Sequence, residues 1–147
     1  MVLVSPALET HFKNYAAFHA TPGNKACHMV GIPLIVLSGF AMLAQLRLAE
    51  LAGFTITAAE ALLLGATIYY LTLDATLALI MLLVSALLLA AGRQIPFWPA
   101  FALFALGWIL QFVGHYVYEK KSPAFFRNVT HLLVGPLWIL AKATGRA

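Results

Sequence analysis

Histidines are the residues of this sequence best suited to chemistry, and four of the five lie beside long apolar segments. His19 and His28 precede the first such segment, and His115 and His131 lie at and after the end of the last one. A neutral imidazole nitrogen is a good ligand for iron, zinc, copper or nickel. A single cysteine, Cys27, excludes a Cys-rich zinc site and a disulfide framework. The pattern therefore favours a metal held by histidines.

Polar side chains accompany His115 at helical spacing. Glu119 lies four residues after it and Gln111 four residues before it, so the three share one helix face. Such a stripe on an apolar helix is costly unless it faces a protein interior or a watery cavity. An acidic group at a helix C-terminus also opposes the helix dipole, which predicts a specific partner for Glu119.

The N-terminal region has a similar arrangement. Residues 6–20 predict an amphipathic helix on the membrane surface, in which Tyr15 and His19 share one face. The Thr-Pro-Gly turn that follows would let His19 and His28 point into one site from two helices. We expect Asn24 to cap the second of these helices.

The composition requires a membrane around these residues. Of 147 residues, 63% are hydrophobic and only 10% charged, against about 45–50% and about 25% in soluble domains. These values exclude a soluble globule, a disordered tail and a nucleic-acid module, and the net charge of +4 forms no basic stripe. We expect one integral membrane domain over residues 1–147, with no room for a second.

Four segments are long and apolar enough to cross a bilayer, which takes about 20 residues and no fewer than about 17. The predicted spans are 30–46, 54–73, 75–91 and 97–117, and a shorter helix over 129–141 is re-entrant or interfacial. The predicted fold class is thus all-α, an integral membrane bundle of four transmembrane helices with an N-terminal interfacial helix and a short fifth helix.

The number of crossings places the histidines together. Four crossings, an even number, separate His19 and His28 from His115 and His131, so all four lie on one face of the membrane. That face also carries more basic residues than the other, namely Lys13, Lys25, Lys120, Lys121 and Arg127 against Arg47 and Arg93. The positive-inside rule then predicts a cytoplasmic N-terminus and a cytoplasmic site.

Two motifs resemble those of the 2-hydroxy fatty acid dioxygenase family. The first is Tyr15-x3-His19 followed by Asn24-x3-His28-x2-Gly31-x-Pro33. The second, which is the more specific, is Gly107-Trp108-Ile109-x-Gln111-Phe112-x-Gly114-His115-x3-Glu119-Lys120-x2-Pro123-Ala124. The likeness covers nearly the whole chain, including the run of four apolar helices.

The resemblance implies an Fe(II)-dependent dioxygenase that acts on long-chain 2-hydroxy fatty acids and O2. The products would be CO2 and a fatty acid one carbon shorter. The expected partners are that substrate, O2 and membrane lipid, without nucleic acid, and the sequence sets no oligomeric state. The protein would be multi-pass, in a bacterial inner membrane or, in a eukaryote, the endoplasmic reticulum.

The resemblance also suggests roles for individual residues. The matched histidines, predicted as metal ligands, are His19, His28 and His115. His131 is a further ligand candidate, although the family tends to carry Gln there. Residues predicted to act in catalysis or to orient the ligands are Glu119, Gln111, Asn24 and Tyr15, with direct ligation by Glu119 also open. From their location alone, the candidates to hold the substrate carboxylate are Lys25, Lys120 and Arg127.

Two other functions remain open at the level of sequence. One is a haem-binding or electron-carrying bundle with His28 and His115 as axial ligands. The other is a metal-free structural or transport protein, in which Glu60 inside the second span would be the polar group of interest.

Overall fold

The computed structural model describes residues 4–147, and helices dominate it. The helices are α1 (Pro6–Ala16), α2 (Pro22–Leu43), α3 (Ala58–Leu73), α4 (Ala75–Gly92), α5 (Phe97–Phe112) and α6 (His131–Ala143). Two short strands, β1 (Arg47–Leu51) and β2 (Phe54–Thr57), pair antiparallel between α2 and α3. A π-helical stretch, Val113–Glu119, continues α5 and is called the π-segment below; a 3-10 turn, Ala124–Phe126, precedes α6.

The predicted all-α membrane bundle is confirmed. Within residues 4–147, three helices are long and apolar enough to cross a membrane: α2, α4, and α5 together with the π-segment. Helix α3 is apolar but has 16 residues, about 24 Å at the usual rise per residue. The count of four spans therefore stays a prediction, and the 13-residue α6 is shorter still.

The predicted N-cap of the first spanning helix was wrong. Helix α2 begins at Pro22 and ends at Leu43, whereas the predicted span is 30–46. Thr21 is its N-cap and accepts a hydrogen bond from the Asn24 N–H at 3.3 Å, so Asn24 is not the cap. Proline fits the first turn of a helix because its missing N–H would have no partner there. The Thr-Pro pair that was interpreted as a break is a helix start.

The start of the second predicted span was also wrong, because residues 54–57 form a strand. Ala52 and Gly53 both have positive φ angles, 49° and 83°, as a two-residue hairpin turn requires. Thr57 then caps α3, and the Glu60 carboxylate accepts hydrogen bonds from the Thr57 N–H at 2.8 Å and from its hydroxyl at 2.5 Å. This capping box fixes the start of α3 at Ala58.

Helices α2 and α5 approach closely through two glycines. A Cβ atom on Gly31 would lie 2.9 Å from the Gly107 carbonyl oxygen, and a Cβ on Gly107 would lie 2.9 Å from the Gly31 oxygen. Small residues allow backbones to meet in this way inside membranes. The contact matters for the site because α2 and the π-segment that continues α5 carry two of the three histidines described below.

Substitution of Gly31 by alanine should destabilise this helix pair. The added methyl group would meet the Gly107 carbonyl and collide with the Gln111 amide. We expect the free energy of unfolding to fall by about 1–3 kcal/mol, the usual cost of overpacking, measured by SDS titration followed by circular dichroism. Gly65→Ala in α3, where a Cβ meets nothing within 4 Å, is the control. Equal stability of the two variants would contradict the prediction.

Helices α1 and α6 cover the end of the bundle that holds the histidines. Leu8 and Phe12 of α1 share one buried core with Leu137 and Trp138 of α6 and with Leu77 of α4. Burial of these apolar side chains therefore holds α1 and α6 against the rest of the bundle.

Hydrogen bonds also attach α1 and α6 to the bundle near the turn between α3 and α4. The Tyr70 hydroxyl donates to the Leu133 carbonyl at 2.6 Å. The Asp74 carboxylate accepts from the N–H groups of Ser5 and Leu77, both at 3.0 Å, so it caps α4 and holds the start of α1.

Candidate metal centre

Three buried histidines from three parts of the chain converge on one point. His19 lies in the loop before α2, His28 on α2 and His115 on the π-segment. Each offers one ring nitrogen, and the three nitrogens lie within 4.8 Å of one another. The ring centroid of His115 lies 4.9 Å from that of His19 and 4.8 Å from that of His28. We call this group the histidine triad.

Backbone carbonyls fix two of the three rings. The Nδ1 of His19 donates to the Tyr15 carbonyl at 2.7 Å, and the Nδ1 of His28 donates to the Asn24 carbonyl at 2.9 Å. A carbonyl oxygen can only accept, so both Nδ1 atoms carry the proton and both Nε2 atoms carry a lone pair. This is the usual way in which a protein orients histidine ligands.

The two Nε2 atoms face each other at 3.1 Å. Two lone pairs at that distance repel unless a cation lies against both of them. The spacing is one that two nitrogen ligands of a single metal ion, each at about 2.0–2.1 Å, can span. Burial lowers the pKa of His19 to about 3, so its ring is neutral at pH 7, the form in which histidine binds metals.

His115 completes the donor set. Its Nδ1 is buried and has no hydrogen-bond partner within residues 4–147. A buried polar atom without a partner is costly and calls for an explanation. The orphaned nitrogen and the facing lone pairs both fit a metal ion held by His19, His28 and His115.

The Tyr15 ring packs against one member of the triad. It stacks on His19 with a centroid distance of 3.9 Å and an interplanar angle of 11°. The side chain is buried, and burial raises the pKa of the Tyr15 phenol, so the ring stays neutral against its neighbour. The role of Tyr15 in orienting a histidine stays a prediction, and this contact is where it would act.

Glu119 fastens the loop that carries His19. One carboxylate oxygen accepts from the Ala20 N–H at 3.0 Å, and the other accepts from the Thr21 N–H at 3.0 Å and the Thr21 hydroxyl at 2.9 Å. The second oxygen also accepts from the Asn24 side chain at 3.2 Å. Four donors in a buried place stabilise the anionic carboxylate. Glu119 also lies at the N-terminus of α2, where the helix dipole stabilises a negative charge. This N-terminus is the partner predicted for Glu119.

Glu119 thus differs from its predicted role in one respect. Its hydrogen bonds go to the loop and to α2 rather than to a histidine ring, and the three-histidine group does not include it. These hydrogen bonds hold the stretch of chain between His19 and His28. Thr21, which sequence reasoning treated only as part of a turn, is the missed member of this arrangement.

Asn24 connects α2 to the loop that carries His19 and to Glu119. It is fully buried, and its side-chain nitrogen donates to the Phe18 carbonyl at 3.0 Å as well as to Glu119. Gly114 lies opposite, where a Cβ would collide with the Asn24 oxygen and lie 3.3 Å from the Nδ1 of His28. Glycine at 114 is what lets the π-segment approach the first turns of α2.

The change from α-helix to π-helix occurs where the site residues lie. His115 and Glu119 are both on the π-segment, and the segment ends where the Lys120 N–H donates to the His115 carbonyl. Lys120 has a φ of 55°, the left-handed conformation that commonly ends a helix. Single π-helical turns occur frequently at functional sites.

A cavity of about 340 Å³ extends from the triad into the bundle. Its polar end consists of the triad, Tyr15, Gln111 and His131. The rest is almost entirely apolar, with walls from α2, α3, α5 and α6 that include Ile32, Val36, Phe40, Leu63, Phe104 and Trp108. Such a shape suits a ligand with a polar head and a long apolar tail.

His131 lines this cavity but is not one of the converging histidines. Its ring lies 5.8 Å from that of Tyr15 and 6.0 Å from that of Phe18, measured between centroids. Its Nδ1 is buried without a partner among the residues described. The structure therefore places it beside the Tyr15 ring and outside the group of three converging nitrogens.

The three basic residues suggested for the substrate carboxylate lie elsewhere. Lys25, Lys120 and Arg127 are all exposed, and none of them lines the cavity. Their charge faces the surroundings of the protein, so we no longer assign them to a bound head group.

Comparison with known proteins decides the family. A family model described as "2-hydroxy-palmitic acid dioxygenase Mpo1-like" matches residues 6–147. The chain belongs to this family. A relative in Saccharomyces cerevisiae, 2-hydroxy-palmitic acid dioxygenase MPO1, is 30% identical over 127 residues, which cover 86% of this chain and 73% of the yeast protein. No solved structure matches the chain.

Membership of the Mpo1-like family confirms the resemblance predicted from the two motifs, and with it a dioxygenase as the enzyme class. The geometry argues against the two other functions. Three rings converge on one point, whereas axial haem ligation needs two rings separated by the porphyrin. Glu60 is occupied in capping α3 and in an ion pair with Arg93.

Proposed function

We propose that this protein is an Fe(II)-dependent dioxygenase that decarboxylates long-chain 2-hydroxy fatty acids to fatty acids one carbon shorter. The observation that carries the proposal is the position of the triad at the polar end of an otherwise apolar cavity. The family and the name of the yeast relative support the same substrate class.

The proposed reaction balances without an added reductant. A 2-hydroxy acid, RCH(OH)COOH, and O2 give RCOOH, CO2 and H2O. The bond between C1 and C2 breaks, C2 is oxidised to a carboxyl carbon, and O2 takes up the four electrons that the acid loses. The enzyme therefore has to hold the acid and O2 at one place.

The residues of the chain provide the ligands and their orientation. His19, His28 and His115 would hold the metal, with the Tyr15 and Asn24 carbonyls fixing two of the rings. Iron supplies the redox chemistry and the coordination positions that three imidazoles leave open. Zinc binds imidazole equally well but has no redox chemistry, which favours iron for an oxidation.

The apolar part of the cavity would hold the acyl tail. It follows α2 from His28 to Leu43, about 22 Å at the rise of an α-helix. One acyl chain of a membrane lipid spans half of the hydrocarbon core, about 15 Å. The cavity is therefore long enough for a long-chain acid, and its walls keep water from the tail.

The membrane placement is part of the proposal. A single domain over residues 1–147 with the triad near one face would let a fatty acid enter from the bilayer while its head group stays near the surface. The excess of basic residues near that face favours the cytoplasmic side.

The test is an assay of purified protein loaded anaerobically with Fe(II). On addition of O2 and 2-hydroxypalmitic acid, we expect equal amounts of O2 consumed, CO2 released and the C15 acid formed, measured by an oxygen electrode and mass spectrometry. Palmitic acid should give no turnover, and protein loaded with Zn(II) is the control for metal chemistry. Iron-loaded protein that consumes no O2 with 2-hydroxy acids of any chain length would overturn the proposal.

A further inference from the structure

Gln111 carries a polar group that no residue in the described part of the chain satisfies. Its side chain is 5% exposed, and its Nε2 is buried without a hydrogen-bond partner in residues 4–147. It lines the cavity together with the triad. A buried amide nitrogen without a partner costs about 1–3 kcal/mol, so its presence beside a ligand cavity points to a partner that arrives with the ligand.

The backbone around Gln111 makes room for this amide. A Cβ on Gly31 would collide with the Nε2 of Gln111, so the amide occupies space that only glycine leaves open. The glycine pair at 31 and 107 brings α2 and α5 together at this level. The amide is thus held at a defined place in the cavity wall.

The position along the cavity identifies which part of a substrate the amide would meet. Along the π-segment and α5, the cavity is lined in order by His115, Gln111, Trp108 and Phe104. Gln111 is one turn from His115, an axial distance of about 6 Å, and lies between the triad and the apolar chamber. In a fatty acid with its head at the triad and its tail in the chamber, the first carbons of the chain, beginning with the carbon next to the carboxyl group, lie between the triad and this level.

We propose that the Nε2 of Gln111 donates a hydrogen bond to the 2-hydroxyl oxygen of the substrate and so selects 2-hydroxy acids over unsubstituted fatty acids. This inference rests on the proposed function. An amide both donates and accepts, which matches a hydroxyl group better than it matches a carboxylate. A site that is built to bond a hydroxyl rejects the analogue without one, because its own polar group is left unpaired.

The experiment compares binding of two acids under anaerobic conditions to full-length, Fe(II)-loaded protein in detergent. The quantity is the ratio of the Kd of palmitic acid to that of 2-hydroxypalmitic acid, measured by displacement of a fluorescent fatty acid. We expect Gln111→Met, which keeps the length but removes the donor, to lower this ratio by about 10- to 100-fold. The Kd of palmitic acid and the iron content should stay as in the wild type.

Two further variants make the comparison specific. Thr67→Val is the matched control, because Thr67 also lines the cavity but its hydroxyl already donates to the Leu63 carbonyl at 2.7 Å; it should leave the ratio unchanged. Gln111→Asn keeps the amide but retracts it by one carbon, and should also lower the ratio. It provides the test if the methionine variant loses iron through misfolding.

The outcomes separate this inference from the proposed function. If the wild type oxidises 2-hydroxypalmitic acid and both Gln111 variants keep its binding ratio, the inference is wrong and the function stands. Equal binding of the two acids by the wild type also overturns the inference, whatever the activity. Absence of oxidation by the wild type overturns the proposed function, on which the inference depends.

Discussion

Substitution of His115 by alanine should remove the metal and abolish turnover while the protein remains folded in the membrane. Only two imidazoles would be left for an ion that, as proposed, the three histidines of the wild type would hold. The loss of affinity should exceed the about 10- to 100-fold that changes to the groups around the ligands cause. Bound iron after gel filtration, measured by mass spectrometry, should fall to background, and O2 uptake with it.

The fold should survive this change because membrane insertion depends on the apolar helices. Helical content by circular dichroism and yield from the membrane fraction should match those of the wild type. His11→Ala is the matched control, since His11 is half-buried on α1 and lies outside the triad. A full complement of iron in the His115 variant would contradict the assignment.

His131→Ala separates the triad from its neighbour. The structure places His131 beside Tyr15 rather than with the three converging nitrogens. We therefore expect this variant to keep its iron. Loss of iron comparable to that of the His115 variant would make His131 a fourth ligand.

Convergence of the histidines followed from the sequence for a simple reason. A bilayer has two faces, and an even number of crossings returns the chain to the first of them. His19, His28 and His115 were therefore expected on one face of the membrane. In the structure, one ring nitrogen of each lies within 4.8 Å of the other two. Spacing could not exclude His131, because the register of α6 depends on its packing against α1 and α4.

Errors in the helix boundaries have a common cause. Hydropathy measures how apolar a window is, but it does not distinguish a strand from a helix. The predicted span that starts at Phe54 therefore included strand β2. The turn before this strand is recognised by the positive φ angles of Ala52 and Gly53, which hydropathy does not measure. The cap of α2 was misplaced from Thr21 to Asn24 for a related reason, because both residue types are common N-caps and only the local backbone shows which one caps the helix.

The sequence contained no sign of the π-segment, and it did not identify the hydrogen-bond partners of Glu119. The four-residue spacing of His115 and Glu119 fits an α-helix, and the hydrogen bonds of the π-segment follow from contacts with α2. The helix dipole argument predicted that Glu119 needs a partner. Which partner it has depends on a loop 98 residues away in the chain.

Glu119→Gln should lower both the stability of the protein and its affinity for metal. One of the two oxygens that accept from Ala20, Thr21 and Asn24 becomes an NH2 group, which repels the same donors. Each buried donor left without an acceptor costs about 1–3 kcal/mol. We expect a loss of a few kcal/mol in the free energy of unfolding. Metal affinity should fall about 10- to 100-fold, because the loop no longer holds His19 in place.

The control is Glu9→Gln, which makes the same chemical change in the exposed ion pair of Glu9 with Lys13. Exposed pairs contribute at most about 1 kcal/mol, so stability and metal affinity should both stay near their wild-type values. A Glu119 variant as stable as the Glu9 variant would show that the four hydrogen bonds contribute nothing to the fold.

Titration with Fe(II) distinguishes positioning by Glu119 from direct ligation. If Glu119 acts only through the loop, all three imidazoles remain in the variant, and excess Fe(II) should restore kcat to near the wild-type value at a higher metal requirement. The KM for 2-hydroxypalmitic acid should then change little. If the carboxylate is itself a ligand, the metal environment of the variant differs even at saturation, and kcat stays low. Persistent loss of kcat in a folded, iron-saturated variant would therefore contradict the hydrogen-bonding role assigned from the structure.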